Sequence, residues 1–272
     1  MIKPDSLFIQ KGEKQEGLQT KLLRAFAYGK QDDINSCREE FLQTYPGDAG
    51  GIELLFATVK TLKEASILPG SQSTDPEGSR LLISKSENTQ NFAKYILKNS
   101  GNRKFLKQFW GYLQKTARWA NIEDLFVKFK HNLITEVAAY RALSYAGVCP
   151  VFADPEEDIL MAVDIKIRDG RDFVQVKGSP ISDVFIVSSL DMSILKVQEI
   201  VKLIPEGLES GAGAFWKKVF DKFTEDTNFL ETGLGRRVVS YLVVIPYGKC
   251  DFQTGEIEQE TKELVLDYFR DH

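Results

Sequence analysis

Residues 158–180 read DILMAVDIKIRDGRDFVQVKGSP, and three of them, Asp164, Gln175 and Lys177, are of kinds that do chemistry on phosphate esters. Asp169-Gly170 stands between two alternating runs and is a strong signal for a two-residue hairpin turn. In that register Arg168 faces Arg171, Lys166 faces Phe173 and Asp164 faces Gln175. Strand alternation then puts Asp164, Gln175 and Lys177 on one side, and Val163, Ile165, Ile167, Val174 and Val176 on the other. An acid, an amide oxygen and an ammonium gather within a cross-strand reach of roughly 5–8 Å. A slip of one residue would turn the aliphatic set outward, so the pattern favours this pairing. Asp158 shares the side of Asp164 by parity but lies nearer the strand entrance, and it ranks second as the key acid.

A helix must bring a fourth group. Leu133, Glu136, Val137, Tyr140 and Leu143 recur at spacings of three and four, so Glu136 lies on or beside an apolar face. A carboxylate facing inward needs a cation or donors. Either a metal at the hairpin or Lys177 itself would satisfy it. Hard Mg²⁺ takes oxygen ligands and keeps several waters. It lowers the pKa of a bound water and offsets charge building on a phosphoryl group. The plain alternative is a solvated hairpin face with Lys177 pairing Asp164, and Glu136 paired with Lys130 or Arg141.

The order of helix Glu136, strand Asp164, hairpin turn and then Gln175-Val176-Lys177 resembles the PD-(D/E)XK nuclease superfamily. It is most similar to the glutamine branch, which includes methyl-directed restriction enzymes and relatives of Holliday-junction resolvases. The resemblance covers roughly residues 130–190, with VVSYLVVIP as a later core strand. It implies that Asp164 is the principal metal ligand, with Gln175 ligating through its side-chain oxygen and the Val176 carbonyl close by. Lys177 would be the catalytic lysine, Glu136 the helix acid, and Ser179 a hydroxyl that follows the motif. Val163 stands where the family's proline would precede the aspartate. Gln175 replaces an acid, which removes one negative charge from the site. The implied cofactor is Mg²⁺ or Mn²⁺, and the implied activity is metal-dependent hydrolysis of nucleic acid. DNA is favoured over RNA as substrate, and endonuclease over exonuclease. By family analogy a homodimer suits an enzyme that cuts both strands. If Gln175 is a ligand, Gln175→Glu should keep or raise activity. The other reading is an inactive nuclease fold that binds nucleic acid or protein, and a weaker third is a helical interaction protein.

The elements predicted around this cluster fall into two regions. Residues 1–121 read as helical, through EGLQTKLLRAFAYGK, DDINSCREEFLQTYPG, GGIELLFATVKTLKEA, ENTQNFAKYILKNSGN and RKFLKQFWGYLQKTARWAN, with ILPGSQSTDPEGS as a linker or loop. Residues 122–272 read as the nuclease-like domain, an α/β (α+β) unit with a restriction-endonuclease-like mixed sheet flanked by helices. It starts with a long helix ending at Gly147. CPVFAD, ILMAVDIKIRD, RDFVQVKG and SDVFIVSSL follow as β-rich runs. Then come helices at SILKVQEIVKLI and GAFWKKVFDKFTED, a strand at RRVVSYLVVIPYG and a last helix at QETKELVLDYFRDH.

The chain has 272 residues and a net charge of −4, so nucleic-acid binding would rest on a local basic face. One candidate is the stretch with Lys104, Lys107, Lys115 and Arg118 beside Trp110, Tyr112 and Trp119, although the aromatics read better as core. Three scattered cysteines argue against zinc and for reduced thiols in the cytoplasm. There is neither an apolar run of signal-peptide length nor one of about 18 residues, so no membrane span is expected. His131 completes no triad and reads as a surface residue. Gly-rich ETGLGRR precedes a strand, which is the wrong context for a phosphate cradle.

Overall fold

Ser240–Pro246, SYLVVIP, is buried at every position, as expected of a strand covered on both faces. It is β5 of a mixed five-stranded sheet ordered β1-β2-β3-β5-β4. The others are β1 (Val151–Phe152), β2 (Ile165–Ile167), β3 (Asp172–Ser179) and β4 (Phe185–Ser188). β3 runs parallel to β5, and every other neighbouring pair is antiparallel. This computed structural model describes residues 21, 25, 31–44, 49–67, 76–206 and 211–271. Most of the helix expected at EGLQTKLLRAFAYGK, all but Lys21 and Ala25, and most of the ILPGSQSTDPEGS segment lie outside the described residues.

The described helices are α1 (Gln31–Thr44), α2 (Ala49–Ile67), α3 (Pro76–Asn99), α4 (Arg103–Trp119), α5 (Glu123–Tyr145), α6 (Pro155–Met161), α7 (Ile194–Lys202), α8 (Ala212–Leu234) and α9 (Gln259–Asp271). The chain divides into two compact units, Met1–Glu53 and Leu54–His272. In the first, α1 buries Cys37 and Phe41, and Arg38 reaches Glu53 at 2.5 and 2.9 Å. The division differs from the boundary expected near residue 121. Helices α3 and α4 belong to the larger unit, where α3 packs on α5 and α6.

Within that larger unit the sheet is the middle of three layers. Leu242 and Val244 of β5 pack with Ile200 of α7 and with Trp216, Phe220 and Phe223 of α8. On the other face α5 crosses β3 and β5, and α9 lies against α5. The middle of α5, residues 133–143, has no exposed position, as a helix stretch sandwiched between a sheet and further helices must be. The expected α/β architecture, a central mixed sheet flanked by helices, is thus present.

Gly178 sets how closely α5 approaches β3. A Cβ there would stand 2.7 Å from Thr135 Oγ1 and 2.3 Å from a ring carbon of Tyr247. Gly178→Ala is therefore expected to destabilise the fold by about 1–3 kcal/mol through overpacking, read as a fall in Tm. An unchanged Tm would mean that the contact relaxes freely.

Two local expectations are corrected. ILMAVDIKIRD is not one strand, because Pro155–Met161 forms helix α6. Asp154 caps its N-terminus in a capping box with Glu157, and Pro155 occupies the first turn. Ala162 then closes the helix in the left-handed region, at φ 52°, leaving only Ile165–Ile167 as β2. In addition, α3 begins at Pro76, so the end of the expected linker and residues 80–86 are helical.

Candidate active site

The hairpin register is the expected one, with Lys166 opposite Phe173 and Ile165 opposite Val174. The turn carries positive φ at Arg168, Asp169 and Gly170. β2 ends where the cluster begins, however, and Asp164 stands at a bend outside the ladder. Its N–H donates to the Val174 carbonyl at 3.0 Å. Its Oδ2 accepts the Val176 N–H at 2.6 Å. The carboxylate thus takes the place of a strand partner along the free edge of β3.

This bend rearranges the two faces. Val163 packs with Phe173, Leu230 and Val238 instead of sharing a side with Ile165. Asp164 lines a cavity of about 520 Å³ together with Glu136, Val176, Lys177 and Gly178. Gln175 does not line it. Its Nε2 donates to Asp226 Oδ2 at 3.0 Å, beneath α8, where Phe223 and Thr227 are neighbours. The single polar face expected of Asp164, Gln175 and Lys177 is therefore split. Asp164, Lys177 and Glu136 come together, as do the Val176 backbone and Asp158. Ser179 is buried in β3 and is absent from the cavity wall.

Asp158 reaches the cavity from α6 rather than by strand parity, and it accepts a hydrogen bond from Ser86 Oγ of α3. Helix α3 also contributes Lys85 and Thr89, while Lys128, Asn132 and Thr135 come from α5. None of these carries a local motif. Only the fold, which lays α3 over α5 and α6, makes them neighbours.

The carboxylates hold protons unusually well. Burial pushes Glu136 well above its ordinary range; the Asp164 and Asp158 charges add to this, and Lys177 opposes it. Asp164 is pushed up to about 6, again first by burial. Asp158 adds to that shift, while Lys177 and the Val176 N–H oppose it. Asp158 is raised by burial against the Ser86 hydrogen bond and the Lys177 and Lys85 charges. Neither surface partner considered for Glu136 serves it: Arg141 pairs with Glu256 at 3.1 Å, and Lys130 lies 4.7 Å over the Trp110 ring.

No family model, curated protein or solved structure matches the chain.

The donor chemistry suits a hard divalent ion. Glu136 and Asp164 offer carboxylate oxygens, Asn132 and Thr135 offer neutral ones, and the crowded negative charge favours a cation. Among the described residues no three His, Cys, Asp or Glu side chains form a ready metal group. Two carboxylates with neutral oxygens and water would be the available set.

The basic face of α4 lies elsewhere. Lys104, Lys107, Lys115 and Arg118 are exposed and do not line the cavity, and Arg118 pairs with Glu123 at 2.6 Å. Phe105, Phe109 and Trp110 are buried as core. His131 is not simply on the surface. It packs between Tyr247 and Phe252, with ring centroids 5.0 and 4.9 Å away. Among the described residues no helix is long and apolar enough to cross a membrane.

Gln175→Glu would now set a carboxylate beside Asp226, whose other oxygen already pairs with Lys222 at 2.6 Å. A loss on the order of 1–3 kcal/mol is expected in thermal or urea denaturation. Undiminished stability with raised activity would show instead that the side chain at 175 swings into the cavity.

Proposed function

We propose that the Leu54–His272 unit is a divalent-cation-dependent phosphodiesterase acting on nucleic acid, with DNA the favoured substrate. The observation that carries this reading is the meeting of Glu136, Asp164 and Lys177 in one cavity at the open edge of β3. Element order supports membership of the PD-(D/E)XK superfamily and a restriction-endonuclease-like core. Helix α5 is followed by β1 and the short helix α6, then by the β2–β3 hairpin and β4, and then by two helices and a strand parallel to β3. Free cysteines fit a cytoplasmic setting.

In this reading Asp164 and Glu136 hold Mg²⁺ or Mn²⁺, with Asn132, Thr135 and the Val176 carbonyl as neutral oxygens in reach of the site. The bound ion supplies Lewis-acid stabilisation of the phosphoryl oxygens and a more acidic water. The Val176 N–H fixes the Asp164 carboxylate, leaving Oδ1 for the cavity. Lys177 neutralises the carboxylates and stands ready to orient a nucleophile or meet charge on the scissile phosphate. Gln175 has no part in the arrangement and acts by holding α8 to β3 through Asp226.

That displacement of Gln175 favours a second reading, a nuclease fold that binds without cutting. Incubation of DNA with the protein in Mg²⁺, Mn²⁺ or EDTA separates them. Cleavage in either cation and none in EDTA is expected. Metal-free cleavage, or binding without cleavage in either cation, would reject the hydrolytic reading.

A further inference from the structure

The cavity that holds the carboxylates changes character along α5. Leu125, Lys128 and Phe129 line it toward one end, Asn132 follows, and Thr135 and Glu136 reach the other. Glu136 lies eleven positions beyond Leu125 on the helix, a span of about 16 Å. Leu62 of α2, Leu82 of α3 and Ile159 of α6 add apolar lining, whereas Lys85 and Lys177 stand near the Asp158, Asp164 and Glu136 carboxylates. A cavity with Leu125 and Phe129 toward one end of α5, and with Lys85 and Lys177 beside the acids toward the other, matches a group that is itself apolar and flat at one end and anionic at the other.

The volume, about 520 Å³, is that of a small-molecule pocket. Duplex DNA, whose major groove alone is about 12 Å wide, is far too broad to enter it. A base kept in its stack cannot place its phosphate against carboxylates inside such a cavity; a nucleotide must be unpaired to do so.

We propose that the cavity takes one unpaired nucleotide of a single-stranded nucleic acid, with its base against Leu62, Leu82, Leu125 and Phe129 and its phosphate beside Lys85 and Lys177. The inference rests on the phosphodiesterase reading and adds the substrate class. Charge at Lys85 and Lys128 supplies affinity, and the leucines reward a base only once it has left its partner.

Fluorescence anisotropy tests this without turnover. A fluorescein-labelled oligonucleotide, single-stranded or annealed to its complement as a blunt duplex, is titrated with the protein in metal-free buffer. The single strand should bind at least about 10-fold more tightly. Leu125→Trp, which fills the apolar end, should remove most of that preference while leaving any Mn²⁺-induced rise in Tm. Leu82→Phe serves the same purpose if Leu125→Trp does not fold. Lys128→Glu should weaken binding and flatten its salt dependence. Equal or tighter duplex binding overturns the inference, and so does an unchanged preference in a folded, pocket-filled variant. Cleavage of single and double strands alike, without a binding preference, would sink this inference and leave the phosphodiesterase reading standing. A clear single-strand preference with no cleavage in any cation would do the reverse.

Discussion

Asp164→Asn is expected to lower cation-dependent cleavage by at least about 10²–10³-fold while leaving the metal-free protein as stable as the parent, or more so, at neutral pH. The two effects have opposite signs because one property causes both. Burial beside Asp158 raises the Asp164 carboxyl to about 6, so its ionised form is unfavourable in the folded chain. An acid whose folded pKa lies above its unfolded value contributes stability below the unfolded pKa, near 3.8, and loses it as pH rises through about 6. At neutral pH the parent therefore carries a penalty on the order of 2 kcal/mol, allowing for partial exposure. Asparagine removes that penalty, and its amide oxygen can still accept the Val176 N–H. Thermal melts of parent and variant across this pH range would read the effect. The parent should lose stability between acid and neutral pH by more than the variant does. Curves of identical slope would mean that the carboxylate is not strained, and its role as a poised ligand would fail with it.

Lys177→Met should cost a comparable factor in rate, on the order of 10²-fold, and should also move the pH profile. Lys177 is the cation whose charge acts on Glu136, Asp158 and Asp164 together, lowering the proton affinity of each. Without it the carboxylates hold their protons to higher pH. Activity requires them ionised, so the acidic limb of the profile shifts alkaline, by on the order of one pH unit. Lys177→Arg restores the charge and should return the limb toward its original position. Its rate should stay low, because a planar guanidinium cannot replace a compact ammonium in directing a proton or a water. A fall in rate with an unmoved limb in Lys177→Met would make the lysine a substrate contact instead of the electrostatic partner of the carboxylates.

Much of this site was legible from short-range pattern. Alternation and Asp169-Gly170 gave the hairpin register, and the spacing of Leu133, Glu136 and Val137 placed the helix acid against the sheet. Alternation failed at Asp164 because a bend there interrupts the ladder, and parity carries no information across a break. The helix at Pro155–Met161 had a readable signal in Asp154-Pro155 and Glu157, but the aliphatic run after it invited a strand instead. Asp158 was weighed for the wrong reason and reaches the cavity all the same. Gln175 was drawn to Asp226, a residue 51 positions away with no mark in its own neighbourhood. Ser86, Lys85 and Thr89 were invisible for the same reason. They come from a helix assigned to a separate region, and only packing joins them to the acids.

The most direct test is calorimetric titration of Mn²⁺ into the metal-free protein near pH 6, repeated in two buffers of different ionisation enthalpy. One ion should bind and displace protons, because near that pH Asp164 is still partly protonated, burial raises Glu136 as well, and both must ionise to ligate it. The buffer-dependent heat would reveal that release, and both Asp164→Asn and Glu136→Gln should abolish it. Parent protein that takes up no ion, or variants that bind it as the parent does, would contradict a cation shared by these two side chains.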